Sequence, residues 1–213
     1  MTNEVAKFNP GQMPAYLRNM DVSPLAKALA GTSSGFARRL SIKGGVFRLI
    51  VEGKEVSALD ERWLDIVIVN GASKVGRQWY SKQFSEDSNQ APSCWSTDGN
   101  TPDSDSLLRQ HENCRDCPKN IKGSGQGDTR ACRFTQRLAV VLANDIEGEL
   151  MQLSVPAKSI FGDAIEDKRP LQAYAKWLLG HTPPISPDTV ITRLRFDTAE
   201  ESPKLHFKTM RFL

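Results

Sequence analysis

The sequence predicts a mainly β protein with a helical segment. Three observations support this: short runs of β-branched and aromatic residues recur over 36–84 and 134–212, Gly-rich or polar turns separate them, and the longest helix-compatible stretch falls between Pro156 and Leu179. Residues 1–35 stand apart. They hold Pro10, Pro14 and Pro24, the small-residue run Gly31-Thr-Ser-Ser-Gly35 and only a short helical-looking piece at Leu25–Leu29, so they are expected to form a flexible arm.

From Phe36 the pattern changes. Phe36–Ile42 and Val46–Val51 flank Lys43-Gly44-Gly45 and read as an N-terminal hairpin. Trp63–Val69 is an almost continuous apolar strand, and Gln78–Phe84 is expected to pair back on it after the Gly71–Gly76 turn. Residues 85–131 are rich in Ser, Asp, Asn, Gly and Pro and lack the apolar periodicity to fold alone. Phe134–Ala143 and Glu149–Val155 resume the strands around a turn at Asn144-Asp145. Pro156–Phe161 and Pro170–Leu179 then read as one broken or two short helices, since proline suits a first helical turn, and Gly180 ends the second. Thr189–Phe196 and Lys204–Phe212 close the chain around the acidic turn Asp197–Glu201.

Without the hairpin, the insertion and the short Gln78–Phe84 partner, this order is β-β-β-α-β-β. It is the order of an OB-fold-like five-stranded barrel, with its helix between the third and fourth strands. The expected organisation is therefore an arm over 1–35 and one barrel domain over 36–213, carrying a zinc-ribbon-like insertion at 85–132.

Of 213 residues, 39% are hydrophobic and 25% charged, so the chain is neither disordered nor membrane-embedded, and its mean hydropathy is −0.42. No secretory leader or span of about 18 apolar residues is evident, and a reducing cytoplasm is expected. There, clustered cysteines more often bind metal than form disulfides.

The four cysteines, Cys94, Cys114, Cys117 and Cys132, occupy one fifth of the chain in the pattern Cys-x19-Cys-x2-Cys-x14-Cys. Cys114-Arg-Asp-Cys117 forms a knuckle that aims two thiolates at one tetrahedral ion, and the flanking cysteines complete a structural four-thiolate zinc site. His111, in an H-x-x-C relation to Cys114, is the alternative fourth ligand. Zinc would supply the ordering energy that the polar insertion lacks.

Net charge is only +3, but its distribution is patterned. Residues 36–54 set Arg38, Arg39, Lys43, Arg48 and Lys54 against Glu52, and residues 119–137 set five cations, among them Arg133 and Arg137, against Asp128. Between them Lys74, Arg77 and Lys82 bracket Trp79 and Tyr80. Cations to track phosphates and aromatic faces to stack bases are what single-stranded nucleic acid requires. The candidate contacts are Arg38, Arg39, Arg48, Arg77, Lys82, Arg133 and Arg137 for phosphates and Trp79, Tyr80 and Trp95 for bases. Strand alternation places Arg133, Thr135 and Arg137 on one face, with Phe134 and Leu138 on the other. Trp63, Phe134, Phe196 and Phe212 are expected in the core, and Trp177 is expected to pack the helix onto the barrel.

Nothing in the sequence points to catalysis. Gly123-Ser-Gly125-Gln-Gly127 lacks the strand and helix that flank a phosphate loop, and His111, His181 and His206 show no metalloprotease spacing. Acidic pairs such as Asp103/Asp105 and Glu200/Glu201 fall in expected loops.

Pro92-Ser-Cys94-Trp-Ser-x-Asp-Gly99, Cys114-x-x-Cys117-Pro-x-Asn120, Gly123-Ser-Gly125 and Ala-Cys132 leading to Arg137-Leu-Ala-Val-Val141 together resemble a group of bacteriophage proteins, over residues 36–213. The zinc site between the first two barrel strands is also similar in architecture to the zinc-containing DNA-binding domain of eukaryotic replication protein A. These resemblances imply an OB-fold single-stranded DNA-binding protein of phage replication, recombination or repair, with structural zinc and with phage or host replication proteins as further partners. Many such proteins end in an acidic recruiting tail. This sequence instead ends Lys204-Leu-His-Phe-Lys-Thr-Met-Arg-Phe-Leu213, which reads as a closing strand. The alternative function is a zinc-containing module docking a host or phage replication or transcription protein.

Overall fold

The computed structural model describes residues 38–81 and 92–213. The expected arm over 1–35, its helical piece at Leu25–Leu29 and Lys82 lie outside the described residues. The fold is mainly β, and its principal sheet curls into a half-barrel.

The strands described are β1 (Arg38–Ser41), β2 (Phe47–Val51), β3 (Lys54–Leu59), β4 (Trp63–Gly71), β5 (Gly76–Trp79), β6 (Cys94–Ser96), β7 (Arg133–Leu142), β8 (Met151–Pro156), β9 (Val190–Phe196) and β10 (Leu205–Phe212). Helices α1 (Ala157–Ile160) and α2 (Leu171–Leu179) follow β8. Eight strands hydrogen-bond in the order β10-β9-β4-β7-β8-β1-β2-β3, while β5 and β6 leave this path, β5 pairing with both β6 and β7. β1 joins β8 in parallel, and the other pairings are antiparallel.

Two-residue alternation builds the core. Ile66 and Ile68 of β4, Leu138 and Val140 of β7, Met151, Leu153 and Val155 of β8, Leu194 and Phe196 of β9, and Leu205 and Phe207 of β10 share one buried cluster with Leu40 and Phe47. Burying a side chain such as Leu153 or Phe207 contributes about 1.5–3 kcal/mol. Bulges between Leu49 and Ile50, Ile68 and Asn70, and Thr209 and Arg211 bend the strands and help the sheet to curl.

The helices cover the seam between β8 and β10. Leu171, Tyr174 and Leu178 form the buried face of α2, at the spacing an amphipathic helix requires. Tyr174 Oη lies 2.7 Å from Thr192 Oγ1 and 3.0 Å from Thr209 Oγ1, tying α2 to β9 and β10. Ser159 of α1 accepts a 2.8 Å hydrogen bond from the Leu205 amide, and Phe207 N–H donates to the Arg169 carbonyl at 2.8 Å. Pro156 and Pro170 are the N-caps, and Gly180 stops α2 by donating to Lys176.

Several expectations are corrected. The N-terminal hairpin is a three-stranded meander, because Lys54–Leu59 adds β3 against β2. Its Lys-Glu-Val-Ser-Ala-Leu sequence is mostly exposed at the sheet edge and carries no apolar alternation. Gln78–Phe84 is replaced by β5, which pairs with β7 and β6 rather than back on β4. Ten-residue β7 explains this: its second half pairs with β4 and its first half with β5.

Core assignments change too. Phe196 is buried and Phe134 half-buried, but Trp63 is 42% exposed and Phe212 62% exposed. Trp63 falls on the outward parity of β4, and the Thr209/Arg211 bulge breaks the alternation before Phe212. Trp177 is exposed on the outer side of α2, stacked on Tyr174 with Arg169 over its ring, so Leu171, Tyr174 and Leu178 dock the helix instead. Among the described residues no helix is long and apolar enough to cross a membrane.

Candidate nucleic-acid interface and cysteine cluster

The outer face of β7, β8, β1 and β2 is built by strand register. Arg137 lies opposite Ser154, Ala139 opposite Gln152, Gln152 beside Arg39, and Ser41 opposite Arg48. Ser154, Gln152, Ala139 and Ser41 therefore share the outer face with these arginines. Arg133 and Arg137 are exposed and have no ion-pair partner among the described residues, and Leu138 is buried behind them. Arg38 pairs with Glu149 and Arg48 with Glu55 (2.7 Å), so those two are already partly neutralised.

Tyr80 lies just past β5. Burial raises its hydroxyl pKa, and the charges of Arg39 and Arg137 oppose that rise, which places all three within electrostatic reach. The charges of Arg39 on β1 and Arg137 on β7, strands separated by β8, thus both act on one half-exposed phenol. Trp79 and Trp95 sit half-buried in paired strands, with the Lys119 ammonium 5.1 Å from the Trp79 ring centroid.

Arg77 has a different role from the one expected. Its Nε donates to the Gly99 carbonyl (2.9 Å), its Nη1 to Asn120 Oδ1 (2.6 Å), and its guanidinium lies 4.0 Å from the Phe134 ring centroid. Phe161 meets Phe134 edge-on. Arg77 is thus a clamp between β5, β7 and the cysteine segment, with its donors turned inward. Asn120, on the 3-10 turn Pro118–Asn120, closes the knuckle: its Nδ2 donates to the carbonyls of Cys114 (3.0 Å) and Arg115 (3.1 Å), and its N–H to that of Cys117 (2.8 Å).

The four cysteines reach one region by separate routes. Cys94 is fixed in β6 opposite Trp79, Cys114 donates its amide to Asn100, and Cys132 donates its amide to Lys119 just before β7. All four are free thiols. Burial raises the Cys114 pKa, a Ser96 hydrogen bond and Arg77 oppose this, and Cys94 and Cys117 add to it. Burial pushes Cys132 up to about 11, with Arg77 opposing and the other three cysteines adding. Cys132 therefore senses the other three thiols, and Cys114 senses Cys94 and Cys117. Among the described residues no three His, Cys, Asp or Glu side chains form a group that could hold a metal ion. In donor chemistry the set suits zinc, and nothing but sulfur is offered. His111 is exposed, with Nδ1 3.0 Å from the Asn113 carbonyl.

Local turns hold the segment in place. Asp98 accepts from the amides of Thr101 and Asn100 and from the Ser96 hydroxyl, which lowers its pKa to about 2. Gly99 has φ +76°, and a Cβ there would run into the Val75 carbonyl. In the sequence Asn120 stands out only within its motif, and nothing local marks Arg77 as a clamp. The Asp98-Gly99 pair signalled the turn.

No protein-family model, curated protein or solved structure matches the chain.

Proposed function

We propose that this protein is a non-catalytic single-stranded DNA-binding protein, acting in phage replication, recombination or repair as its motif resemblance implies. The observation that carries this reading is the register that sets Arg39 and Arg137 on one outer face across Gln152 and Ser154 of β8, with Tyr80 within electrostatic reach of both. The arginines take phosphates, Tyr80 stacks a base, and the outer face admits a strand whose bases are unpaired.

Strand connectivity supports an OB-type barrel. β4 lies between β7 and β9, β7 pairs with β8, and β9 with β10, which gives four of the five neighbour relations of that barrel. The fifth, between the third and last strands, is replaced here: β8 hydrogen-bonds β1, and the helices bridge toward β10. On this reading β7 and β8 are the strands that face the ligand, and the cysteine segment is the loop between the first two barrel strands. Cys94, Cys114, Cys117 and Cys132 would hold a structural zinc, which orders that loop beside the interface.

The test compares oligo-dT affinity of the native chain with Tyr80→Ala and with Arg39→Ala/Arg137→Ala. Loss of one stacked base weakens binding by about 1–3 kcal/mol. Loss of two phosphate contacts flattens the plot of log K against log salt by about 1.4. Unchanged affinity in both variants refutes the interface.

A second reading, a docking module for a replication or transcription protein, is favoured by exposed Leu107, Leu108 and Ile121 on the cysteine segment. It predicts a protein partner retained after nuclease treatment by a chain that has no DNA affinity.

A further inference from the structure

The outer face of β4, β9 and β10 holds an aromatic and cationic arrangement that the interface above does not use. Trp63 opens β4 on the outward parity, opposite Arg195 of β9. The indole is 42% exposed, and the Arg193 guanidinium lies 3.9 Å from its ring centroid. Arg193 is fixed there by two hydrogen bonds to Asp65, 2.7 Å from Nε and 2.8 Å from Nη2. A tryptophan whose orientation is locked by an ion-paired arginine and whose remaining surface meets solvent is a ready stacking platform.

Arg193 and Arg195 also line a neighbouring cleft of about 250 Å³, together with Lys168, His206, Lys208, Asp167 and Asp197. Both of its carboxylates are committed. Lys208 Nζ lies 2.5 Å from Asp167, while Asp197 receives His206 (3.0 Å) and Lys204 (3.2 Å). Arg193 is neutralised by Asp65. Lys168 and Arg195 have no carboxylate partner among the described residues, so the cleft keeps about two uncompensated positive charges. His206 leaves its Nδ1 buried without a hydrogen-bond partner. A phosphate offers Lys168 and Arg195 what they lack, an anion with several acceptor oxygens.

We propose that this face is a second binding site for a nucleotide unit, with the base on Trp63 and the phosphate on Lys168 and Arg195. The unit is either part of a DNA strand or a free nucleotide, since both present the same ring and phosphate. For the strand-borne case the inference rests on the function proposed above. The two sites lie far apart along the sheet. Arg137 is next to Leu138, which pairs with Gly71, at the far end of β4 from Trp63. At about 3.3 Å per residue that separation is roughly 26 Å, within the span of a strand occupying an OB-type site of about 4–16 nucleotides.

The experiment titrates the full-length chain, Trp63→Ala, Lys168→Ala/Arg195→Ala and Arg39→Ala/Arg137→Ala with an oligo-dT of about 30 nucleotides, longer than one OB-type site, and separately with thymidine monophosphate. The Lys168/Arg195 variant changes surface cations only, so it tests the site even where Trp63→Ala disturbs the Arg193–Asp65 pair. For a strand-borne unit, both cleft variants weaken the long oligonucleotide about tenfold, and Lys168→Ala/Arg195→Ala flattens its salt dependence by about 1.4 in log K against log salt. For a free nucleotide, the native chain binds the monophosphate saturably and both cleft variants lose it. If only Arg39→Ala/Arg137→Ala weakens the oligonucleotide and no chain binds the monophosphate, the second site is refuted and the proposed function stands. If the native chain binds neither probe, both fail.

Discussion

Arg77 and Arg137 show how two arginines a few strands apart take opposite roles. Arg77 spends its donors on Gly99 and Asn120 and its face on Phe134, so Arg77→Ala should cost about 1.5–3 kcal/mol of stability, read by urea denaturation. Arg137→Ala should leave the denaturation midpoint unchanged and weaken DNA binding. Sequence placed both as phosphate contacts, since a basic residue beside an aromatic looks alike whether it faces inward or outward. What separates them is the carbonyl of Gly99 and the amide of Asn120, which are 22 and 43 residues distant. Trp63 was equally illegible: its apolar neighbours suggested core, and only the strand's parity turned it out. Asp98 supplies a pH prediction. Its carboxyl is held at about 2 by the Thr101 and Asn100 amides and the Ser96 hydroxyl, against an unfolded value near 4. A depressed carboxyl stabilises the fold above its unfolded pKa, and that contribution disappears as pH falls from about 4 to about 2. Asp98→Asn should therefore flatten the acid limb of a stability-against-pH curve over that window, while an unchanged limb would show that the turn does not depend on the charge.

At the scale of elements, the cysteine segment depends on β5 and β6. Gly76 sits where β6 crosses, and a Cβ there would stand 2.7 Å from the Ser96 carbonyl and 3.6 Å from that of Thr135. Gly76→Ala should separate β6 from β5 and lower thermal stability by several degrees in a melting experiment. If zinc orders the segment, the native chain should hold one zinc, and Cys114→Ser/Cys117→Ser should lose it and become protease-sensitive between residues 92 and 132. Because burial raises the thiols of Cys114 and Cys132, metal must displace protons, so zinc affinity should fall as pH falls. Zinc content unchanged in the double variant would remove the metal reading. The spacing of the cysteines was visible in sequence because a knuckle is local. The strand made by Cys94-Trp-Ser96 was not, since three residues without apolar alternation become a strand only when β5 is beside them. The same holds for β3, whose exposed residues have no pattern of their own. The apolar strands β4, β7, β8, β9 and β10 were legible to within a few residues, because each buries one face in the common core.

For the domain as a whole, that core sets the half-barrel, and its tolerance to truncation should be low. Leu194, fully buried between Leu64 of β4 and Phe207 of β10, should cost about 2–5 kcal/mol as Leu194→Ala in urea denaturation. The apolar strands that build the core were readable in the sequence, but β1 taking the edge of β8 was not, since a parallel pairing of two residue pairs leaves no periodic trace. Net charge said little about the partner. Acids are drawn into pairs on Arg38, Arg48, Arg193 and Lys208, and among the described residues Arg133, Arg137, Lys168 and Arg195 are cations without an ion-pair partner. The most direct test is a titration of the native chain with single-stranded and duplex oligonucleotides of one length at two salt concentrations. The account predicts tight binding to the single strand, weaker binding to the duplex, and an affinity for the single strand that falls with salt by about 0.7 in log K per log salt for each phosphate contacted. Absence of single-strand binding at low salt, or equal binding of the duplex, would contradict it.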